Sequence, residues 1–475
     1  PNLVFSNVLW GYVVRAIPSL NGVLGYSLAT MVVLLIFGWS TLYFLLRSGV
    51  AYLFGVLAIL LLIGVPTLHP QFTMNAGLLT VSAILGWQLY ARSGSIGILT
   101  LSCLLAFTGF LIRDMEFLLV LGVALPLLPW RTLRGNRPMQ IAFLLLTIAI
   151  VSAAVFDQWS YRGSEWKTFK ELNAVRVLFT DYGAEKYLRL HPEILNLYHY
   201  SSNDLALIKD WFLVDPQIAN PSVLKAMLAD LGTLPLQASL QLGTVGIKEL
   251  ARPVMLPLLL PALLFLAFAP RRPLMLAWLI CLAALFAIGF EGRPGILRVY
   301  IPLLSLLLIV SLMSVENGSP LPKWATSLIL LMACIGSAYV LMPSALLTEQ
   351  KIQQVQQDVR NLGTKPIISW ADAFPDELAF PLLSDNTAVQ KIKFYGLNAF
   401  THAPFSVAYT EQMAGRGMME RLQSSKGIPI IVSAKRDTKR LRIYCIEHFN
   451  GKLFEKFIHT APSFAIKQVR CMAGN

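Results

Sequence analysis

Two short charged runs stand out in a chain that is otherwise strongly apolar. Arg113, Asp114 and Glu116 sit between two long apolar blocks, while Arg293 and Arg298 flank Pro294-Gly295 just ahead of a third. Ionisable groups at the ends of such blocks are costly beside a bilayer, so they pair, face a cavity or serve a function. Asp114 or Glu116 has the chemistry of a general base toward a hydroxyl, given a pKa that leaves it ionised near neutrality. Guanidinium groups match phosphate oxygens through two parallel hydrogen bonds, which makes Arg293 and Arg298 candidates for holding a phosphate, and Arg113 a further candidate for binding substrate. A plainer account pairs Arg113 with Asp114 or Glu116 and leaves the 291–298 loop anchored at lipid headgroups.

A third run, Tyr200-Ser201-Ser202-Asn203-Asp204, precedes an apolar stretch that Asp215-Pro216 ends. Asn203, Asp204 and Asp210 offer a sugar- or ion-binding edge. Helix capping by Ser202 or Asn203 explains the same residues without a ligand. His402, His448 and His459 are too scattered to mark a metal site, and there is no glycine-rich phosphate loop or nucleophile elbow. A divalent metal stays open as a cofactor, although no ligand spacing points to one.

The elements that must position these residues follow from composition. Hydrophobic residues make up 56% of the chain and charged residues 14%, against about a quarter charged in a soluble domain. A crossing needs about twenty apolar residues. Ten stretches qualify or nearly do: 25–46, 50–68, 74–90, 96–112, 117–130, 139–156, 253–268, 273–290, 299–315 and 325–347. The fifth is short enough to be tilted or re-entrant. The formal net charge of +13 therefore reads as loop cations that set topology, and no nucleic-acid motif accompanies it. With the turn after Leu46 inside, Arg47, Arg92, the Arg131, Arg134 and Arg137 cluster, Arg271, Arg272 and Lys323 all fall inside.

The expected fold is thus a polytopic α-helical membrane protein of about ten spans, in four parts. Residues 1–156 form a first membrane part, 157–252 an outer and mostly helical loop, 253–347 a second membrane part, and 348–475 a small outer α/β domain. In a bacterium this places the chain in the inner membrane with its C-terminal domain outside. Residues 1–20, with Val4, Leu9, Val13 and Ile17 near helical spacing, suit an amphipathic surface helix or an ordinary buried segment. The opening Pro1 makes the chain look like the remainder of something longer. In the last part, 366–370 and 428–433 read as strands, 392–395 and 464–469 as further strands, and 418–424 and 437–449 as helices. Cys445 and Cys471 fall in the outer domain and are expected to form a disulfide there.

Outer-face acids and arginines, a long outer helical loop and a C-terminal outer domain together resemble the GT-C class of integral membrane glycosyltransferases. The stretch 200–215 and Arg113-Asp114 also resemble uncharacterised bacterial membrane proteins from envelope-polysaccharide settings. The resemblance implies transfer of a sugar from a polyprenyl-phosphate carrier to a glycan or other acceptor, with inversion. That class places its catalytic acid in the first outer loop, yet 1–20 contains no Asp or Glu. Either the acid lies upstream or Asp114 or Glu116 takes its place. A polysaccharide polymerase or ligase, a flippase or transporter of lipid-linked glycan, and a non-catalytic assembly protein are the rival readings. No internal repeat of the transporter kind is visible.

Overall fold

The computed structural model describes residues 2–475 apart from 233–235, 317–320, 361, 364, 383, 434–435 and 474–475. The chain divides into two compact units. One combines Pro1–Tyr161 with Gln237–Leu347, and the other combines Arg162–Leu236 with Thr348–Asn475.

The first unit is helical, and every one of the ten apolar stretches contains helix. Among the described residues, five helices are long and apolar enough to cross a membrane: Gly25–Arg47, Arg137–Ser160, Arg272–Phe290, Leu297–Glu316 and Lys323–Val359, the last running on past this unit. Tyr52–Leu68 and Ile96–Ile112 are apolar but shorter. Two expected spans take another form. The helix Asp114–Ala124 stops at a 3-10 turn, Leu125–Leu127, because Pro126 and Pro129 cannot continue it. Its eleven residues reach about 16 Å, roughly half the hydrocarbon thickness. In the stretch 253–268 the helix begins at Leu256 and meets Ser239–Ala251 at 89°, with Pro253 and Pro257 at the break.

Phe72–Ser93 and Leu297–Glu316 form the centre of this unit, and most residues of each are buried. Small residues let the helices close up. A Cβ on Gly86 would lie 1.9 Å from Oγ of Ser102, and one on Gly109 would lie 2.9 Å from the Ala76 carbonyl. The buried hydroxyls of Ser40 and Ser82 share a hydrogen bond of 2.8 Å between helices. Arg137–Ser160 is peripheral and leaves Leu144, Leu145, Ile148 and Val151 exposed.

The N-terminal stretch contains one short helix with a single buried face. Only Val8–Ala16 is helical; it buries Val8, Trp10 and Gly11 and leaves Val13 exposed. The expected stripe fails because Val4 lies before the helix with φ 65° and Ile17 ends it. The backbone N–H of Val8 donates to Asp157 at 2.7 Å, and the Asn7 amide donates to the Ala153 carbonyl at 3.0 Å.

The second unit unites two stretches that lie far apart in sequence. Its five-stranded sheet comprises β1 (Ile367–Trp370), β2 (Phe394–Leu397), β3 (Ile428–Val432), β4 (Gly451–Thr460) and β5 (Ala465–Ala473), in the order β2-β1-β3-β5-β4. β1 runs parallel to β2 and β3, and β5 runs antiparallel to β3 and β4. Leu205, Phe212 and Phe179 from the helical stretch share one core with Ile368, Trp370 and Tyr444. The Phe212 ring lies 5.5 Å from Trp370 and 5.1 Å from Tyr444. Residues 157–252 therefore do not form one separate loop, since 162–236 folds with the sheet and 237–252 folds with the helical unit. Cys445, in the helix Lys439–Phe449, is bonded to Cys471 of β5, with their Cα atoms 5.6 Å apart.

Candidate functional site

In the first unit the chain turns sharply between Ile96–Ile112 and Asp114–Ala124, and Arg113 at the turn is fully extended. Its guanidinium donates to the Phe5 carbonyl at 2.9 Å and lies 5.6 Å and 6.0 Å from the rings of Phe5 and Phe72. These contacts aim the charge and replace part of the water it gives up.

The two acids that follow have different surroundings. Asp114 is half-buried, and its carboxylate accepts the Met115 N–H at 2.7 Å. Glu116, one helical step inward, is 3% exposed, and its Oε1 has no hydrogen-bond partner among the described residues. A lone buried carboxylate oxygen is costly, so the surrounding cations matter. Arg113 and Arg298 both act on Glu116 electrostatically, and Arg293 acts on Arg113. The fold thus brings together five charged residues from two runs about 180 positions apart in sequence.

Glycine makes room for Glu116. A Cβ on Gly77 would stand 2.5 Å from Cβ of Pro302 and 3.1 Å from Cγ of Glu116. The loop before Arg298 is held by residues the sequence did not single out. Arg252 donates to the Gly295 carbonyl at 3.2 Å and pairs with Glu249. The Tyr300 hydroxyl donates to the Gly246 carbonyl at 2.7 Å and accepts the Gly295 N–H at 3.2 Å.

Asn203 and Asp204 belong to the second unit. The N-cap of helix Ser202–Lys209 is Ser201, not Ser202 or Asn203. Its hydroxyl accepts the N–H groups of Asn203 and Asp204, each at 3.1 Å, and Asp204 accepts the Ser201 N–H at 2.9 Å. This reciprocal capping box explains the choice of Asp at 204. Its other oxygen lies 2.8 Å from Nε2 of His448, whose ring stacks on Tyr444 at 4.5 Å. The Asn203 amide donates to the Arg440 carbonyl at 3.2 Å.

His448 therefore does join acidic neighbours, despite its isolation in the sequence. One donor atom each from Asp204, Glu447 and His448 lies within 4.8 Å of the others. These groups already have hydrogen-bond partners, because Glu447 accepts the Ser201 hydroxyl at 2.9 Å and both Asp204 oxygens are used, by the Ser201 N–H and by His448. The Asp204 hydrogen bond, opposed by partial burial, raises the His448 pKa. His402 is held at 2.7 Å by the Leu213 carbonyl, and burial pushes its pKa down.

No protein-family model, curated protein or solved structure matches the chain.

Proposed function

We propose that this chain is a membrane glycosyltransferase that moves a sugar from a polyprenyl-phosphate-linked donor to an envelope glycan or other acceptor. The observation that carries the reading is Glu116, a buried carboxylate with one unpartnered oxygen under the charges of Arg113 and Arg298. In the proposed reaction Glu116 takes the proton of the acceptor hydroxyl as its oxygen attacks the anomeric carbon. The bond from that carbon to the phosphate oxygen breaks, and Arg298, supported by Arg293 and Arg113, holds the departing lipid phosphate. Asp114, whose carboxylate accepts its neighbour's N–H, is the less available base and serves to position the turn.

The proposed setting is a bacterial inner membrane crossed by helices of the first unit, with the second unit outside. The one-sided distribution of short-loop cations supports this orientation. The Cys445–Cys471 disulfide supports it too, because such bonds persist in oxidising compartments. Labelling of an engineered cysteine at Ser425, from outside intact cells, tests the orientation; labelling only after permeabilisation would reverse it.

Turnover of a polyprenyl-phosphate sugar by purified protein tests the chemistry. Glu116→Gln should bind the lipid normally and lose activity by about 10²-fold or more, whereas Arg298→Ala should weaken lipid binding. Well-folded protein that neither binds nor turns over any such lipid would refute the proposal.

A further inference from the structure

The second unit contains a groove that the chemistry above does not use. It lies between helix Ser202–Lys209 and helix Lys439–Phe449, is floored by Trp370 and has a volume of about 640 Å³. That falls in the range of small-ligand sites, about 300–1,000 Å³.

Its charge is arranged rather than scattered. Four cations line it: Arg189, Arg436, Lys439 and Arg440. Asp210, which is 8% exposed, is the anchor. It pairs with Arg436 at 2.6 Å and with Arg440, and its backbone carbonyl accepts the Trp370 indole N–H at 2.6 Å. Arg436 also reaches Asp372 at 3.0 Å, and Arg440 donates to the Ala206 carbonyl at 3.0 Å. Two guanidinium groups are therefore fixed in place, with less rotamer freedom left to lose on binding.

The other two cations are left over. The side chains of Arg189 and Lys439 have no hydrogen-bond or ion-pair partner among the described residues. Arg189 and Arg440 repel one another, offset in part by Glu185, and an anion between them would remove what remains of that cost. Of the remaining acids on the lining, Asp437 accepts the Lys439 backbone N–H at 3.0 Å and Glu447 accepts the Ser201 hydroxyl. Neither faces Arg189 as a salt-bridge partner.

Ligand class follows from the rest of the wall. Trp370 is buried to 1% exposure, so among the described residues the groove offers no open aromatic face on which a nucleobase could stack. What it offers beside the cations is Ser202, Asn203 and carboxylate oxygens, groups that pair with hydroxyls. We propose that this groove binds an anionic saccharide, a sugar bearing a carboxylate or a phosphate. The inference stands apart from the glycosyltransferase reading, since it needs neither Glu116 nor Arg298.

Ligand-observed NMR on the full chain in nanodiscs tests it, with glucuronic acid, glucose 6-phosphate, glucose and inorganic phosphate as probes. Either sugar acid should bind at least tenfold more tightly than glucose and than inorganic phosphate. The double variant Arg189→Gln, Lys439→Gln should lose at least tenfold in that binding with its thermal melt unchanged. Glu116→Gln should bind as wild type does, even where it abolishes transfer. Inorganic phosphate binding as tightly as the sugar acids would reduce the groove to a general anion site and overturn the saccharide assignment. Equal binding of glucose, or no binding of any probe by folded protein, would overturn the proposal outright.

Discussion

Nε2 of His448 lies 2.8 Å from Oδ1 of Asp204, although 244 residues separate them in sequence. The contact ties the capping box of a helix from the first stretch of the second unit to the helix that carries the disulfide. It is also a titratable joint.

Asp204 raises the pKa of His448, so the charged pair adds stability that is fully present below the free imidazole value of about 6.5. That contribution is lost as pH rises through the higher folded value. Thermal melts of the second unit's signal should therefore fall in midpoint as pH is raised through that window. His448→Gln should flatten the dependence; an unchanged slope in the variant would show that the pair is not its source.

The cap position makes a sharper structural prediction. Ser201→Ala should cost about 1 kcal/mol or somewhat more, because it removes the acceptor for two backbone N–H groups. Ser202→Ala, one residue along and exposed, should cost only a few tenths. Denaturant midpoints for the two variants, at matched slopes, make the comparison.

The protein has five cysteines, of which Cys103, Cys281 and Cys334 are free. Unfolded, unreduced protein should thus label at three thiols, and reduced protein at five. Replacing both Cys445 and Cys471 by Ser should destabilise the second unit by about 2–4 kcal/mol.

Gly77 tests the packing behind Glu116. The Cβ of Gly77→Ala would press on the Pro302 ring, whose atoms cannot swing aside, and on Glu116. Overpacking of this kind costs about 1–3 kcal/mol. The variant should melt earlier in detergent and, on the proposed function, lose transfer activity, while Gly97→Ala, which meets nothing within 4 Å, should do neither.

Much of the fold was legible because its signals are local. Apolar runs and proline positions located the helices, and short β-branched runs located β1 and β3. β4 escaped because it is an edge strand with charges and aromatics on both faces; Phe454 and Phe457 are exposed, and Lys452, Glu455 and Lys456 interrupt any alternation. The cap was misplaced by one or two residues, because Ser-Ser-Asn-Asp offers four side chains able to cap. The charged runs at 113–116 and 293–298 could be picked out singly, but their convergence depends on helix packing around Gly77 and Pro302. The pairing of His448 with Asp204 has no sequence signal at all, since it depends on which helix the sheet brings against the first stretch.

The divided core of the second unit has a consequence for how the protein is made. Leu205 and Phe212 emerge from the ribosome roughly 155–165 residues before their partners Ile368 and Trp370, an interval of about 8–30 s at ordinary synthesis rates. Throughout that time an apolar surface is complete on one side and has nothing to close on. The intervening helices keep the waiting half tethered near the place where its other half will arrive, which raises the effective concentration of the correct partner over strangers. A chain halted before β1 would lack that partner permanently, so premature termination should yield a sticky, protease-sensitive product even though every helix of the first unit had been synthesised.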